Sequence, residues 1–543
     1  MKKHLQKIAA VLLCAALLAG FGAVGAAAEG PQRPDSNLTY ALYSVADVAF
    51  KALLKGIALL IPPIGIPGKM PESVNFFPGM GEFKAVPADP SYTWKLGYAK
   101  ASVTDTYEGD VNELFVTGTL DIIGKRKVSE IKDPPMAYVT ALGDGERTAV
   151  FVSLDAFGIT SHDVGLIRAA LKEFVESTAD TRNIVSINVS ALHQHSTVDT
   201  LGMNGNVVAG VFLNSFGMLT GLYPPFSGKN KEYMKHLTNV VADTVKEAVN
   251  AMEPGELFYG KADISEYISE KRAPDCFDPD FHRLRFKPTD TGSKETWLTN
   301  APIHTTGVGI GGTEVTSDWP YYIAENLEAY NGGTNYQLIL GAQFAMGIRF
   351  VDPPHAPGQT GHDRMEQYGN LLAGRLKGIQ AQDEERLPAL LNIAHKEYTL
   401  PVDNPLHLLF FRLGIIDSTG RKTNLTGTKI DLKTEIGYME LGGKVAFALV
   451  PGEMEPALAR DGNGLAADKS YRREEYKFIP MKDRTGGLPL IVFGLTNDQV
   501  GYIPLPNDIA HFVVFGNEEV NTVSTQVAPL TLKAFEELVA SIR

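Results

Sequence analysis

The sequence predicts a mixed α/β fold, with helices and sheets in α+β layers around one large core, and three observations carry this. Apolar runs of strand length fall at 137–141, 148–154, 184–192, 336–341, 444–450 and 489–495. Apolar residues at helical spacing fall at 163–177, 231–252, 361–379, 453–460 and 530–542. The two kinds intermingle over short linkers, which favours helix-on-sheet layers over an all-β architecture. The chain has 543 residues, enough to bury a large core. No repeat or domain boundary is visible from about residue 90 onward, so three parts are expected: 1–28, 29–90 and 91–543.

The first part reads as a secretory signal peptide. Lys2, Lys3 and Lys7 precede an apolar stretch from Ile8 to Gly25, and Ala26-Ala27-Ala28 suits cleavage before Glu29. A lipoprotein site at Cys14 fits less well, because Leu13 is large and the apolar run continues past it. Export from a bacterial cell is the expectation. The formal charge of −13 falls to −16 without those three lysines. So acidic a chain is a poor nucleic-acid binder, since phosphate contacts need Lys and Arg. Cys276 would be the one cysteine left, which excludes an intrachain disulfide. In the 29–90 extension, the apolar run from Val48 to Pro67 is broken by Lys51, Lys55 and Pro62-Pro63. It is too broken to span a bilayer and reads as a helix packed on the core or as a flap facing lipid.

The segment SINVSALHQHS, residues 186–196, reads as a strand running into two histidines. Alternation along a strand puts Val185, Ile187, Val189, Ala191, His193 and His195 in one row. Two imidazoles continuing a core-facing row suggest a metal pair, though strand geometry alone does not choose between His193 and His195 as the ligand. A catalytic zinc site commonly takes three protein ligands and a water. His304 stands at the end of an apolar piece before a glycine loop, as a ligand or as a hydrogen-bonded structural histidine. Glu453 follows Pro451-Gly452 at the expected start of a helix, as a ligand or as a dipole-favoured cap. Asp155 and Asp318 could each orient a histidine or cap a turn. The glycine-rich loop from Gly205 to Gly228 suggests a site wall. Gly307-Val-Gly309-Ile-Gly311-Gly312 lacks the strand-turn-helix setting of a dinucleotide site. There is no G-x-S-x-G elbow and no H-E-x-x-H.

Several of these segments, in order, resemble the neutral/alkaline non-lysosomal ceramidase family, in its N-terminal catalytic domain. They are AVFVSLDAFGIT with SINVSALHQHS, YISEKRAPDCFDPDFHRLRF, NAPIHTTGVG with TSDWP, TEIGYMELGGKVAFALVPGE, and LTNDQVGYIPLPND. The resemblance implies a zinc ion held by His193, His304, Glu453 and Tyr502. It implies that His195 lines the site, steadying an oxyanion or moving a proton, and that Tyr502 ligates or donates to the oxyanion. It places Asp318 among the catalytic residues. There are departures: the Gly-Pro of the family's histidine motif is missing after Ser196, and Gln343 and Phe344 stand where the family carries a catalytic serine. The family's C-terminal immunoglobulin-like domain has no counterpart after LTLKAFEELVASIR.

The expected function is therefore that of a secreted zinc-dependent hydrolase. Its substrate would be an amide, a small molecule or an N-acyl sphingoid-like lipid, attacked by water activated on the metal. The run 48–67 would give peripheral membrane contact. The alternatives are a catalytically inactive ligand- or lipid-binding member of the same fold, and a non-lipid amidase or esterase.

Overall fold

The structure, a computed structural model, describes residues 33–60, 66–73, 81, 83–118, 124–205, 227–309, 311–350, 359–462, 464–512 and 517–543. The leader segment 1–28, residues 61–65 of the apolar run and most of the loop 205–228 lie outside the described residues.

Two mixed sheets face each other. The larger contains β1 (Trp94–Ser102), β2 (Met136–Gly143), β3 (Thr148–Leu154), β4 (Ile184–Ala191), β5 (Glu253–Asp263), β6 (Asp280–Pro288), β7 (Glu295–Ala301) and β8 (Thr334–Leu340). Their spatial order is β8-β7-β6-β5-β1-β2-β3-β4, with the short strand Glu385–Leu387 added on β5. Neighbours run antiparallel except β7–β8 and β3–β4. The smaller sheet is β9 (Leu391–Pro401), β10 (Ile430–Leu441), β11 (Val445–Leu449) and β12 (Leu490–Phe493), with Gly420–Lys422 added on β10.

The helices are α1 (Asn37–Leu60), α2 (Ser161–Ala170), α3 (Lys231–Asn250), α4 (Asp318–Glu328), α5 (Gly361–Gly378), α6 (Pro405–Leu413) and α7 (Val527–Ser541), with some shorter pieces. Strand alternation assigns the layers. Ala149 and Phe151 of β3 join Trp94, Phe286, Phe447 and Phe493 between the sheets. Val150, Val152 and Leu154 point the other way, under α2 and α3. Further along the same outer face, α4 and α5 cover β6 to β8. The outer face of the smaller sheet is covered by α6 and α7, and α1 packs on α6. The result is a mixed α/β fold of four layers.

The six strands expected from apolar runs are β2, β3, β4, β8, β11 and β12. The expected helix 163–177 is interrupted at Leu171, which caps α2 and precedes a separate turn of helix. The expected helix 453–460 begins only at Pro456, with Glu455 as its cap, while Glu453 and Met454 form a two-residue strand. Capping is thus the role of Glu455 and not of Glu453.

The row expected on β4 is also revised. Thr148 pairs with Ile184 but Ala149 pairs with Ser186, so Val185 is bulged out. Val185 consequently packs between the sheets, while Ile187 and Val189 face the helices. Ser186, Asn188 and Ser190 form a buried polar seam, hydrogen-bonded to His395, Asn497 and Thr496 at 2.9, 3.1 and 2.7 Å. β4 is an edge strand, and its free groups are covered. Asn497 pairs with the Val189 N–H and C=O, and the Arg168 guanidinium from α2 donates to the Ile187 carbonyl. The same guanidinium grips Glu435 of β10 at 3.0 and 2.8 Å, tying α2, the large sheet and the small sheet together.

Candidate metal centre

β4 stops at Ala191, and His193 adopts a left-handed conformation with φ +50°. The two histidines therefore converge through a turn and not through strand alternation. Thr305 staples this turn to the segment of His304, its hydroxyl donating to the carbonyls of Leu192 and His193 at 2.7 and 2.6 Å. The nitrogens of His193, His195 and His304 that can ligate lie within 4.8 Å of one another.

Each imidazole is fixed from behind by a main-chain carbonyl. The Nδ1 of His193 contacts Phe157 O at 2.7 Å, that of His195 contacts Gly118 O at 2.8 Å, and that of His304 contacts Met346 O at 2.8 Å. A carbonyl can only accept, so each Nδ1 carries the hydrogen, and each ring turns its Nε2 toward the common point. Burial, followed by the neighbouring imidazoles, holds His193 well below the usual histidine range. Burial, followed by His304, lowers His195 to about 3.

Glu453 arrives from the other half of the chain. Its Oε2 lies 2.9 Å from His304 Nε2 and 3.3 Å from His193 Nε2. Lone pairs thus face lone pairs in a water-poor pocket. The Nε2 atoms of His193 and His195 and the Oε2 of Glu453 are buried without a hydrogen-bond partner. One proton on His304 would serve a single contact and leave the others facing each other. A divalent cation satisfies all of them, and nitrogen and carboxylate donors suit zinc.

Tyr502 is the register partner of Glu453 in a two-residue parallel ladder with Tyr502–Ile503, so both side chains leave the same face. Its ring meets Phe344 edge-on, with centroids 5.4 Å apart. Phe344 in turn donates its N–H to Met454 O. Gln343 is fully buried, and neither of its amide atoms has a partner.

Asp318 and Asp155 act on the main chain around the cage. Asp318 sits at φ +55°, and its carboxylate accepts from the N–H groups of Val308 and Trp319 at 2.9 and 2.8 Å. It thereby pins the loop leaving His304, and the Trp319 indole donates to His304 O at 3.1 Å. Asp155 accepts from Gln194 Nε2 at 2.5 Å, from Ser317 Oγ at 2.8 Å and from the Met136 N–H at 2.9 Å. It grips the residue between the two histidines. The hydrogen bonds described for both aspartates thus go to main-chain N–H groups, Gln194 and Ser317 and not to a histidine ring, which is the turn-capping alternative of the sequence reading.

Burial raises Asp155 to about 6 despite these donors. Its carboxyl thus stays protonated in the folded state above the pH at which the unfolded chain ionises. The stability this gives is complete below about pH 3.9 and is lost as pH rises toward 6. The stability gap between wild type and Asp155→Asn, measured by urea unfolding of metal-free protein, is expected to shrink by on the order of 2 kcal/mol from pH 4 to 6. A gap independent of pH would remove this account.

Sequence reasoning missed Phe157, Gly118 and Met346, whose carbonyls set the tautomers. Phe157 also stacks on His193, with ring centroids 4.4 Å apart. Gly118 has φ +115°, and a Cβ there would lie 1.8 Å from His195 O, so only glycine fits. Carbonyl acceptors leave no trace in residue type. The one available signal was the glycine in FVTGTL.

A second group, Asp278, Asp280 and His282, also has ligand atoms within 4.8 Å. Here Asp278 is paired with Arg460 at 2.7 Å and Asp280 with Lys261 at 2.7 Å. Lysine and arginine already supply the positive charge, so a cation gains little.

No protein-family model and no curated protein sequence matches the chain. Among solved structures, the chain is similar to the neutral ceramidase from Pseudomonas aeruginosa, with a TM-score of 0.63 at 14% identity over 83% of this chain and 75% of that one. It is likewise similar to a ceramidase complexed with C2, with a TM-score of 0.60 at 13% identity over 83% and 76% of the two chains. The fold of this protein is that of the ceramidases.

Proposed function

We propose that the protein is a zinc-dependent hydrolase of an amide bond, exported from the cell and acting on an N-acyl substrate such as a ceramide-like lipid. The observation that carries this reading is the cage of buried, unpartnered Nε2 and carboxylate atoms. His193, His304 and Glu453 would hold the ion, with Tyr502 beside them. The bound zinc would supply a Lewis acid that polarises a carbonyl and acidifies water to a pKa of about 7.

His195 has a defined starting state. Its Nδ1–H is committed to Gly118 O, and burial keeps Nε2 unprotonated at neutral pH. It therefore begins as an acceptor and takes the proton that the attacking water gives up. The oxygen adds to the amide carbon, the C–N bond breaks, and the imidazolium returns its proton to the departing nitrogen. Phe344 in place of a hydroxyl leaves water as the nucleophile. His195→Ala is expected to retain zinc and to lose about 10²- to 10⁴-fold in kcat. Loss of the metal with the ring would make His195 a ligand instead.

The decisive experiment is elemental analysis of the purified protein together with a panel of N-acyl amides and esters. About one zinc per chain and amide turnover abolished by chelation support the proposal. Full activity in metal-free protein refutes it. Lipid binding without turnover assigns the protein to the non-catalytic alternative, and turnover confined to short, non-lipid substrates identifies an amidase or esterase on this scaffold.

A further inference from the structure

The helix α1 has two apolar faces. One packs inward through Leu54 and Ala58 onto α6, with Asp47 buried beside them. The other looks outward and carries Leu38, Leu42, Val45, Val48, Leu53 and Leu59, between 39% and 71% exposed. Among the described residues, half of the large hydrophobic side chains left exposed are on this one helix. Scattered exposed apolar residues need no explanation, but a continuous stripe does. Leu38, Leu42 and Val45, continued through Ala49, Ala52 and Leu59, follow helical spacing along one side of the 24-residue rod.

We infer that this outer face of α1 docks on a lipid bilayer, lying in the plane of the interface. No described helix is long and apolar enough to cross a membrane. A helix with an apolar stripe bordered by lysines is the form that rests on one. The charge of the helix selects an anionic bilayer as the occupant. The only acidic side chain of the helix, Asp47, is turned inward and bonded to Lys51 at 2.7 Å. Lys55 is exposed, so the outward charge of the helix is positive and complements anionic headgroups. The inference is independent of the metal centre, because it concerns where the molecule sits and not what it cleaves.

The test is flotation of the full chain with vesicles of phosphatidylcholine mixed with phosphatidylglycerol, comparing wild type with Leu42→Glu/Val45→Glu. Both positions are exposed, so the variant is expected to keep its thermal transition and its zinc content. Its partition onto vesicles is expected to fall at least about tenfold. Lys55→Glu is expected to weaken binding to the anionic vesicles while leaving binding to pure phosphatidylcholine unchanged. Wild-type protein that stays in solution would overturn the inference. So would equal flotation of the double variant. So would a concentration-dependent dimer that the double variant abolishes, since that would give the face to a second copy.

Discussion

Glu453→Gln is expected to leave a folded protein that no longer retains zinc and whose hydrolytic rate drops by roughly 10³-fold. The carboxylate is the acidic side chain of the cage, and its Oε2 lies 2.9 and 3.3 Å from the Nε2 atoms of His304 and His193, the latter buried without a hydrogen-bond partner. The loss follows from removing several kcal/mol of charge stabilisation at 1.36 kcal/mol per tenfold in rate. The amide matches the carboxylate in shape but brings N–H donors. These can bond to the lone pairs of His193 or His304, so the metal-free variant should be at least as stable as metal-free wild type. That pairing of outcomes separates a ligand from a structural carboxylate, which would lose stability on substitution. Elemental analysis, amide turnover and thermal unfolding of both proteins after chelation supply the comparison. Unchanged zinc content in the variant would exclude Glu453 from the site.

The largest expected loss of stability lies away from the histidine cage. Arg168→Met should cost about 3–5 kcal/mol in urea unfolding, because it removes the guanidinium that neutralises the buried Glu435 carboxylate. Glu435 is 3% exposed, and the guanidinium makes paired contacts with it at 2.8 and 3.0 Å. The loss also uncovers the Ile187 carbonyl on the edge of β4. Arg168→Met combined with Glu435→Leu removes both charges together and should recover most of the difference, since a buried ion pair scarcely exceeds an apolar replacement of similar volume. A double variant as unstable as the single one would show that the contact to Ile187, and not the ion pair, holds the seam.

How much of this was legible beforehand differs by level. Apolar runs located the strands buried on both faces, such as VFVSL in β3 and VAFAL in β11, because continuous burial leaves a continuous apolar string. Strands such as β9 and β10 escaped because Lys and Glu interrupt LNIAHKEYTLP and IDLKTEIGYMEL. The bulge at Val185 left no mark, since bulges are set by the partner strand. The pairing of His193 with His195 was read from strand alternation, yet it is made by a turn at positive φ. The joining of Glu453 to His304 across the chain rested on resemblance alone, because no local pattern encodes a contact between residues so far apart.

The three carbonyls that aim the imidazoles belong to residues 118, 157 and 346, and the carboxylate to residue 453. A chain halted before its last quarter thus holds the three histidines and their carbonyl acceptors but lacks the carboxylate that faces them. On the proposed reading, the donor set for a cation is complete only once that last quarter has folded against the rest.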